Sequence, residues 1–234
     1  MILLAALAFA APKNCPNQAQ IDALHARIAA LEAELAAVKA AAGTPTEAEE
    51  MAASALMATV TEAVAAANYP AANDALGTIL REYPNTRAGK AAARMQPEIG
   101  LVGTGAVPLA VEFWYQGRAD YVDAPVTLVV FFEEWCPHCR NSMPELAGRV
   151  DELKKRGVQI VALTKVTKSS TDDKVRTFLT ENAIPFPVAK EDGAMSKAFV
   201  VTGIPAAAMV RDGVVIWRGH PSRLDAKLLD SLVK

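Results

Sequence analysis

The stretch VTLVVFFEEWCPHCRNSMPEL, residues 126–146, decides the fold. Its first seven residues, Val126 to Phe132, are apolar apart from Thr127 and of strand length. That is the pattern of a central strand buried on both faces. The linker Glu133-Glu134-Trp135 leads to Cys136-Pro137-His138-Cys139, and a helical segment begins near Pro137. Two cysteines separated by two residues at a helix start can close a small disulfide ring. The first sulfur then lies where unpaired N–H groups and the helix dipole favour a thiolate over a thiol. His138 lies between the sulfurs, where it can donate a hydrogen bond to the thiolate and add positive character. Arg140 adds to that field, and the carboxylates of Glu133 and Glu134 oppose it. The pattern points to reversible thiol–disulfide exchange.

Working outward, residues rich in Val, Ile, Phe and Trp fill the second half of the chain. Leu109–Gln116 reads as a strand and Glu145–Arg156 as helix. Val158–Leu163 is a second buried strand, and Thr171–Asn182 is a helix with Asp172 and Asp173 in its first turn. Ser196–Val201 reads as a short helix end. Ala206–Arg211 and Val214–Arg218 form a hairpin across Asp212-Gly213, a strong turn pair. Ser222 is positioned to cap a last helix ending at Val233. The predicted fold class is α/β, a central mixed sheet flanked by helices over residues 101–234, preceded by an all-α region.

Upstream, apolar residues fall at Ile21, Leu24, Ile28, Leu31, Leu35 and Val38, the a/d spacing of a coiled coil over residues 18–42. Ile at the first two a positions with Leu at d favours a parallel homodimer. Arg27 would then face Glu32 of a second copy, and Glu34 would face Lys39. Cys15 lies just before this seam, close enough for a Cys15–Cys15 bridge between copies. The competing reading is an amphipathic helix lying on its own domain. Thr46 and Glu49 read as a capping box for a helix over 46–67, with further helices over 71–83 and 88–95. Residues 46–98 resemble a single tetratricopeptide-type hairpin, and a generic helical spacer fits them as well. Met1–Ala11, MILLAALAFAA, has an apolar core and an Ala8-Phe9-Ala10 cleavage pattern, the form of a signal peptide. This predicts export to a bacterial-type periplasm, with membrane association as a further option.

Net charge is −2 with acids and bases interleaved, so no basic stripe suggests nucleic acid. The three cysteines make one close pair and a spare, unlike a disulfide-rich scaffold. A C-x-x-C pair is also half of a common zinc site. Here there is no second pair, and His25 and His220 are the other histidines, so the expectation is no metal and no cofactor. A copper(I) site of Cys136, Cys139 and Met143 remains an alternative on ligand softness.

Two segments, VVFFEEWCPHCRNSMPEL (129–146) and VTGIPAAAMVRDGVVIWRG (201–219), resemble the thioredoxin superfamily, in its TlpA/ResA/DsbE-like branch. The resemblance covers roughly residues 101–234 and implies a thioredoxin-like fold with thiol–disulfide oxidoreductase activity. It implies that Cys136 is the attacking, solvent-facing sulfur and Cys139 the resolving one, paired in a redox disulfide. It further implies that Pro205 is cis and packs opposite the cysteines, and that the Ile204 backbone pairs with substrate chains. Trp135 would shield the site, Pro137 would touch substrate, and Pro144 would kink the helix. Thioredoxins carry a buried Asp six positions before the first cysteine, and here that position is Val130. Glu133 and Glu134 are the tentative replacements for proton transfer. The Pro-His pair matches disulfide oxidases of the DsbA type. The partners implied are disulfide- or thiol-containing proteins and a redox-recycling protein. Reductase and isomerase directions both stay open. Two other function classes compete: an oligomeric assembly or binding protein that uses the fold as a platform, and a copper- or zinc-handling protein.

Overall fold

The structure is a computed structural model that describes residues 18–41, 43–167 and 169–233. Residues 1–11, read above as a signal peptide, and Cys15 lie outside the described residues. The chain divides into two units at Pro45 and Thr46.

The first unit contributes one helix, α1 (Gln18–Ala41). Alanine-rich sequence with Leu, Glu and Lys favours this state. Ile21, Leu24, Ile28 and Leu31 on it are exposed.

The second unit starts with three helices, α2 (Glu47–Ala65), α3 (Tyr69–Glu82) and α4 (Arg87–Gly100). The capping box that opens α2 is present: the Glu49 N–H donates to Thr46 Oγ1 at 3.2 Å, and the Thr46 N–H donates to Glu49 Oε2 at 2.7 Å. Two boundaries differ from the sequence expectation. α3 begins at Tyr69, because Asn68 caps it and Pro70 fits the first turn, where its missing N–H costs nothing. α4 runs through Pro97 to Gly100 instead of ending at Met95. Ala53, Val60, Leu76, Ile79 and Ala92, buried between the three helices, join the same apolar cluster as the sheet's Leu128 and Val130.

The sheet has strands β1 (Phe113–Gln116), β2 (Val126–Phe132), β3 (Val158–Thr164), β4 (Val188–Lys190), β5 (Ala206–Arg211) and β6 (Val214–Gly219). Between them lie α5 (Pro137–Gly148), α6 (Val150–Lys155), α7 (Asp172–Glu181) and α8 (Ala194–Ala198), and α9 (Ala226–Leu232) closes the chain. Strand order is β1-β4-β3-β2-β5-β6. β2, β3 and β4 run parallel, and β1, β5 and β6 are antiparallel to their neighbours. All seven residues of β2 are buried, as a central strand demands. Leu128, Val130 and Phe132 face one core, with Met143, Leu146, Leu153, Phe178 and Leu229. Val129 and Phe131 face the other, with Met195 and Phe199. This is the thioredoxin-like mixed sheet flanked by helices, with a helical N-terminal region.

Three other expectations need correction. The first strand is shorter than Leu109–Gln116, since pairing with β4 begins at Phe113. The helical stretch after the cysteines breaks at Arg149 into α5 and α6. Asp225, not Ser222, caps α9, and Pro221–Arg223 forms a separate 3₁₀ turn. The hairpin turn is as expected: Asp212 and Gly213 both have positive φ, 51° and 73°, the backbone that a type I′ turn requires. Residues 103–106 run along the outer edge of β6. Gly103 N–H donates to Val215 O at 2.8 Å, Val215 N–H to Thr104 O at 3.0 Å, and Ala106 N–H to Gly213 O at 2.7 Å. This cover protects an otherwise open sheet edge.

Candidate active site

β2 delivers Glu133-Glu134-Trp135 to its C-terminal end, and the chain turns directly into α5. Cys136 is the N-cap residue of α5 and Pro137 occupies its first turn. The Cys136 N–H donates to Glu133 O at 3.1 Å and its carbonyl accepts from the Arg140 N–H at 3.0 Å, which fixes the turn. Both cysteines are free thiols. α5 carries Pro144 in its interior.

The segment before β5 reaches the same place. The Ile204–Pro205 peptide is cis. The Cys136 thiol points at the Ile204 carbonyl, with Sγ···O at 3.6 Å. Residues 68 positions apart in sequence therefore meet at one spot, because β2 and β5 are adjacent and antiparallel, with Phe131 opposite Ala206.

Access differs from the expectation of a solvent-facing sulfur. Cys136 is only 6% exposed, and Cys139 is fully buried. The order of access is as expected, but Cys136 sits in a recess. Trp135, at 46% exposed, and the exposed Pro137 and His138 form its surroundings. Burial pushes the Cys139 thiol far above the usual cysteine value. The Cys136 thiol and the Glu133 carboxylate push the same way, and the Glu133 backbone opposes them.

The two glutamates have different settings. Glu133, buried, accepts from Trp135 Nε1 at 2.6 Å and from Thr167 Oγ1 at 3.0 Å through one carboxylate oxygen. Its charge acts on Cys139. Glu134, also buried, accepts from Ser170 Oγ at 2.8 Å, and its other oxygen has no hydrogen-bond partner. Val130, where thioredoxins place an aspartate, is fully buried in the apolar core. Thr167 and Ser170 were not anticipated from sequence. The signal was the parallel pairing of β2 with β3, which sets Phe132 beside Thr164 and brings the following loops together.

Arg140 turns away from the sulfurs. Its Nη1 approaches Glu134 O at 3.4 Å, and its guanidinium lies over the Phe178 ring, 5.9 Å from the centroid. A cleft of about 440 Å³ runs beside Trp135, lined by Arg140, Asp173, Lys174 and Phe178 among others. His220 was also unforeseen. Burial holds it below the usual histidine range, helped by the charges of Arg223 and His138, with Glu145 opposing. Among the described residues no cluster of three or more His, Cys, Asp or Glu side chains is arranged to hold a metal ion. No helix among them is long and apolar enough to cross a membrane.

The AhpC/TSA family matches residues 117–218. The thiol-disulfide oxidoreductase ResA of Bacillus thuringiensis subsp. konkukian is 32% identical over 88 residues, covering 37% of this chain and 49% of that protein. The thiol:disulfide interchange protein HelX of Rhodobacter capsulatus is 30% identical over 129 residues, covering 54% of this chain and 64% of that protein. The chain thus spans about half the length of the ResA relatives it matches. A crystal structure of a thiol-disulfide isomerase from Corynebacterium glutamicum is 23% identical, with a TM-score of 0.47 over 55% of this chain and 92% of that one. Residues 117–218 thus match the AhpC/TSA family, and ResA and HelX are homologues of the C-terminal part of the chain.

Proposed function

We propose that the domain is a thiol–disulfide oxidoreductase that exchanges disulfides with protein substrates through Cys136 and Cys139. The observation that carries this reading is the Cys136 thiol under the Ile204 carbonyl, beside Pro205, at the start of α5. A Cys136 thiolate attacks one sulfur of a substrate disulfide. The substrate S–S bond breaks, a mixed disulfide forms, and the departing substrate sulfur takes a proton. Cys139 then gives up its proton and attacks the Cys136 sulfur. The mixed disulfide breaks, the second substrate thiol leaves, and two electrons have passed from the protein to the substrate. Run backwards, the Cys136–Cys139 disulfide oxidises a dithiol. A recycling protein and the potential of the pair set the direction, as reductase or isomerase.

Glu133 is the better acceptor for the Cys139 proton, because its charge already acts on that thiol. Glu134, which accepts from Ser170 and keeps one unpaired oxygen, is the alternative acceptor. His138 stabilises the thiolate of Cys136. Trp135, Pro137 and the Ile204 backbone form the substrate-facing rim, which suits extended polypeptide.

In the same reading the protein is exported to a periplasm and works as a parallel dimer through residues 18–42. The exposed Ile21, Leu24, Ile28 and Leu31 supply the seam, and a Cys15–Cys15 bridge locks it. Two linked sites would suit isomerisation, since one can hold a substrate while the other attacks. The test is catalysis of insulin reduction by dithiothreitol, with light scattering on the same sample. The expected results are acceleration over dithiothreitol alone and the mass of a dimer. A folded protein that gives no acceleration overturns the exchange reading, and a monomer overturns the dimer alone.

A further inference from the structure

Arg218, on β6, is the one buried cation among the described residues, and its side chain is 3% exposed. A buried guanidinium needs its donors met. Its Nε donates to Phe199 O at 3.0 Å and its Nη2 to Val200 O at 3.1 Å. Its Nη1 approaches Ala207 O at 3.4 Å and Gly219 O at 3.3 Å. Phe199 and Val200 immediately precede the 201–205 loop, and Ala207 lies just beyond it. Val200 has φ 51°, a left-handed backbone that β-branched residues avoid, so its carbonyl is turned against local preference. The middle of the loop has its own tie. Thr202 Oγ1 donates to Glu98 Oε1 at 2.7 Å, and the same oxygen lies 3.8 Å from Arg218 Nη2. Glu98 belongs to α4, and the chain after α4 is fixed to β6 by the three backbone bonds of residues 103–106.

We propose that Arg218 and Glu98 are positioning residues for substrate binding. They fix where the 201–205 loop stands over Cys136, and through Glu98 the helical region α2–α4 takes part in that placement. The proposal rests on the exchange reading above, in which the Ile204 backbone pairs with the substrate chain. A polypeptide substrate needs the loop in place. A small aromatic disulfide needs only the sulfur.

The test is stopped-flow tryptophan fluorescence of the reduced 234-residue chain, mixed with a disulfide-containing peptide and separately with an aromatic disulfide. Glu98→Ala is expected to raise the half-saturating peptide concentration about tenfold, the scale of a lost hydrogen bond to a charged group. The limiting rate and the rate with the aromatic disulfide should stay within about twofold, because the sulfurs keep their setting. Glu98→Gln keeps an acceptor for Thr202 and should recover most of the peptide affinity. Arg218→Lys keeps the charge, loses the planar fork and should give the same split as Glu98→Ala. Glu98 is partly exposed, so its variants stay informative if Arg218→Lys fails to fold. If Glu98→Ala behaves as wild type, or slows both disulfides equally, the positioning role is wrong and exchange stands. If the wild type reacts with neither disulfide, both readings fall.

Discussion

Replacing Cys136 with serine is expected to abolish disulfide exchange, and replacing Cys139 with serine is expected to trap the substrate on Cys136. The asymmetry follows from the burial of the two sulfurs. Cys136 retains 6% of its surface and faces the Ile204 carbonyl, while Cys139 is fully enclosed. Only the first can meet a substrate disulfide, and a serine hydroxyl cannot replace a thiolate as its nucleophile. Without the Cys139 sulfur nothing within the site resolves the mixed disulfide. That adduct should then persist for minutes to hours, the scale of uncatalysed rearrangement. Mass spectrometry of the Cys139→Ser protein after mixing with a disulfide peptide should show a single covalent adduct on Cys136. An adduct of equal yield on the Cys136→Ser protein would mean that Cys139 is open to substrate, contrary to its burial.

The second large effect concerns alkaline stability of the reduced protein. Burial pushes Cys139 well above its ordinary range, while in the unfolded chain the thiol titrates near ~8.5. Below ~8.5 both states hold the proton, and stability is at its full value. Above it the unfolded chain ionises and the folded thiol stays neutral. The unfolded state then binds fewer protons, so stability falls as pH rises, by at most about 1.4 kcal/mol per pH unit. Burial raises the phenols of Tyr115 and Tyr121 too, but unfolded tyrosines titrate near ~10, so the window between reports on the thiol. Urea unfolding at pH 8 and pH 9.5 should cost the wild type about 1 kcal/mol more than Cys139→Ala. Parallel losses in the two proteins would place Cys139 in contact with solvent.

Much of the fold was legible because its central parts are extreme. An apolar run as long as Val126–Phe132 has few places to go but the middle of a sheet, and Asp212-Gly213 fixes a hairpin locally. β4 was not legible: its three residues, Val188–Lys190, are too short for periodicity and are defined by neighbours on both sides. Pro97 inside α4 misled in the other direction, since tertiary packing outweighed a local breaker. At the site, the cysteine pair and the cis proline came from motifs that sit within a few residues of each landmark. The different settings of Glu133 and Glu134 did not, because Thr167 and Ser170 arrive from the next strand's loop. The tie from Glu98 to Thr202 spans 104 residues, and nothing in either local sequence announces it.

The most direct test of exchange through the Cys136–Cys139 pair is equilibration of the protein across glutathione redox buffers, followed by alkylation and mass analysis. One two-electron transition is expected, between two free thiols and an internal Cys136–Cys139 disulfide. Thiols that remain separate across the whole range, or carry only glutathione adducts, would contradict it.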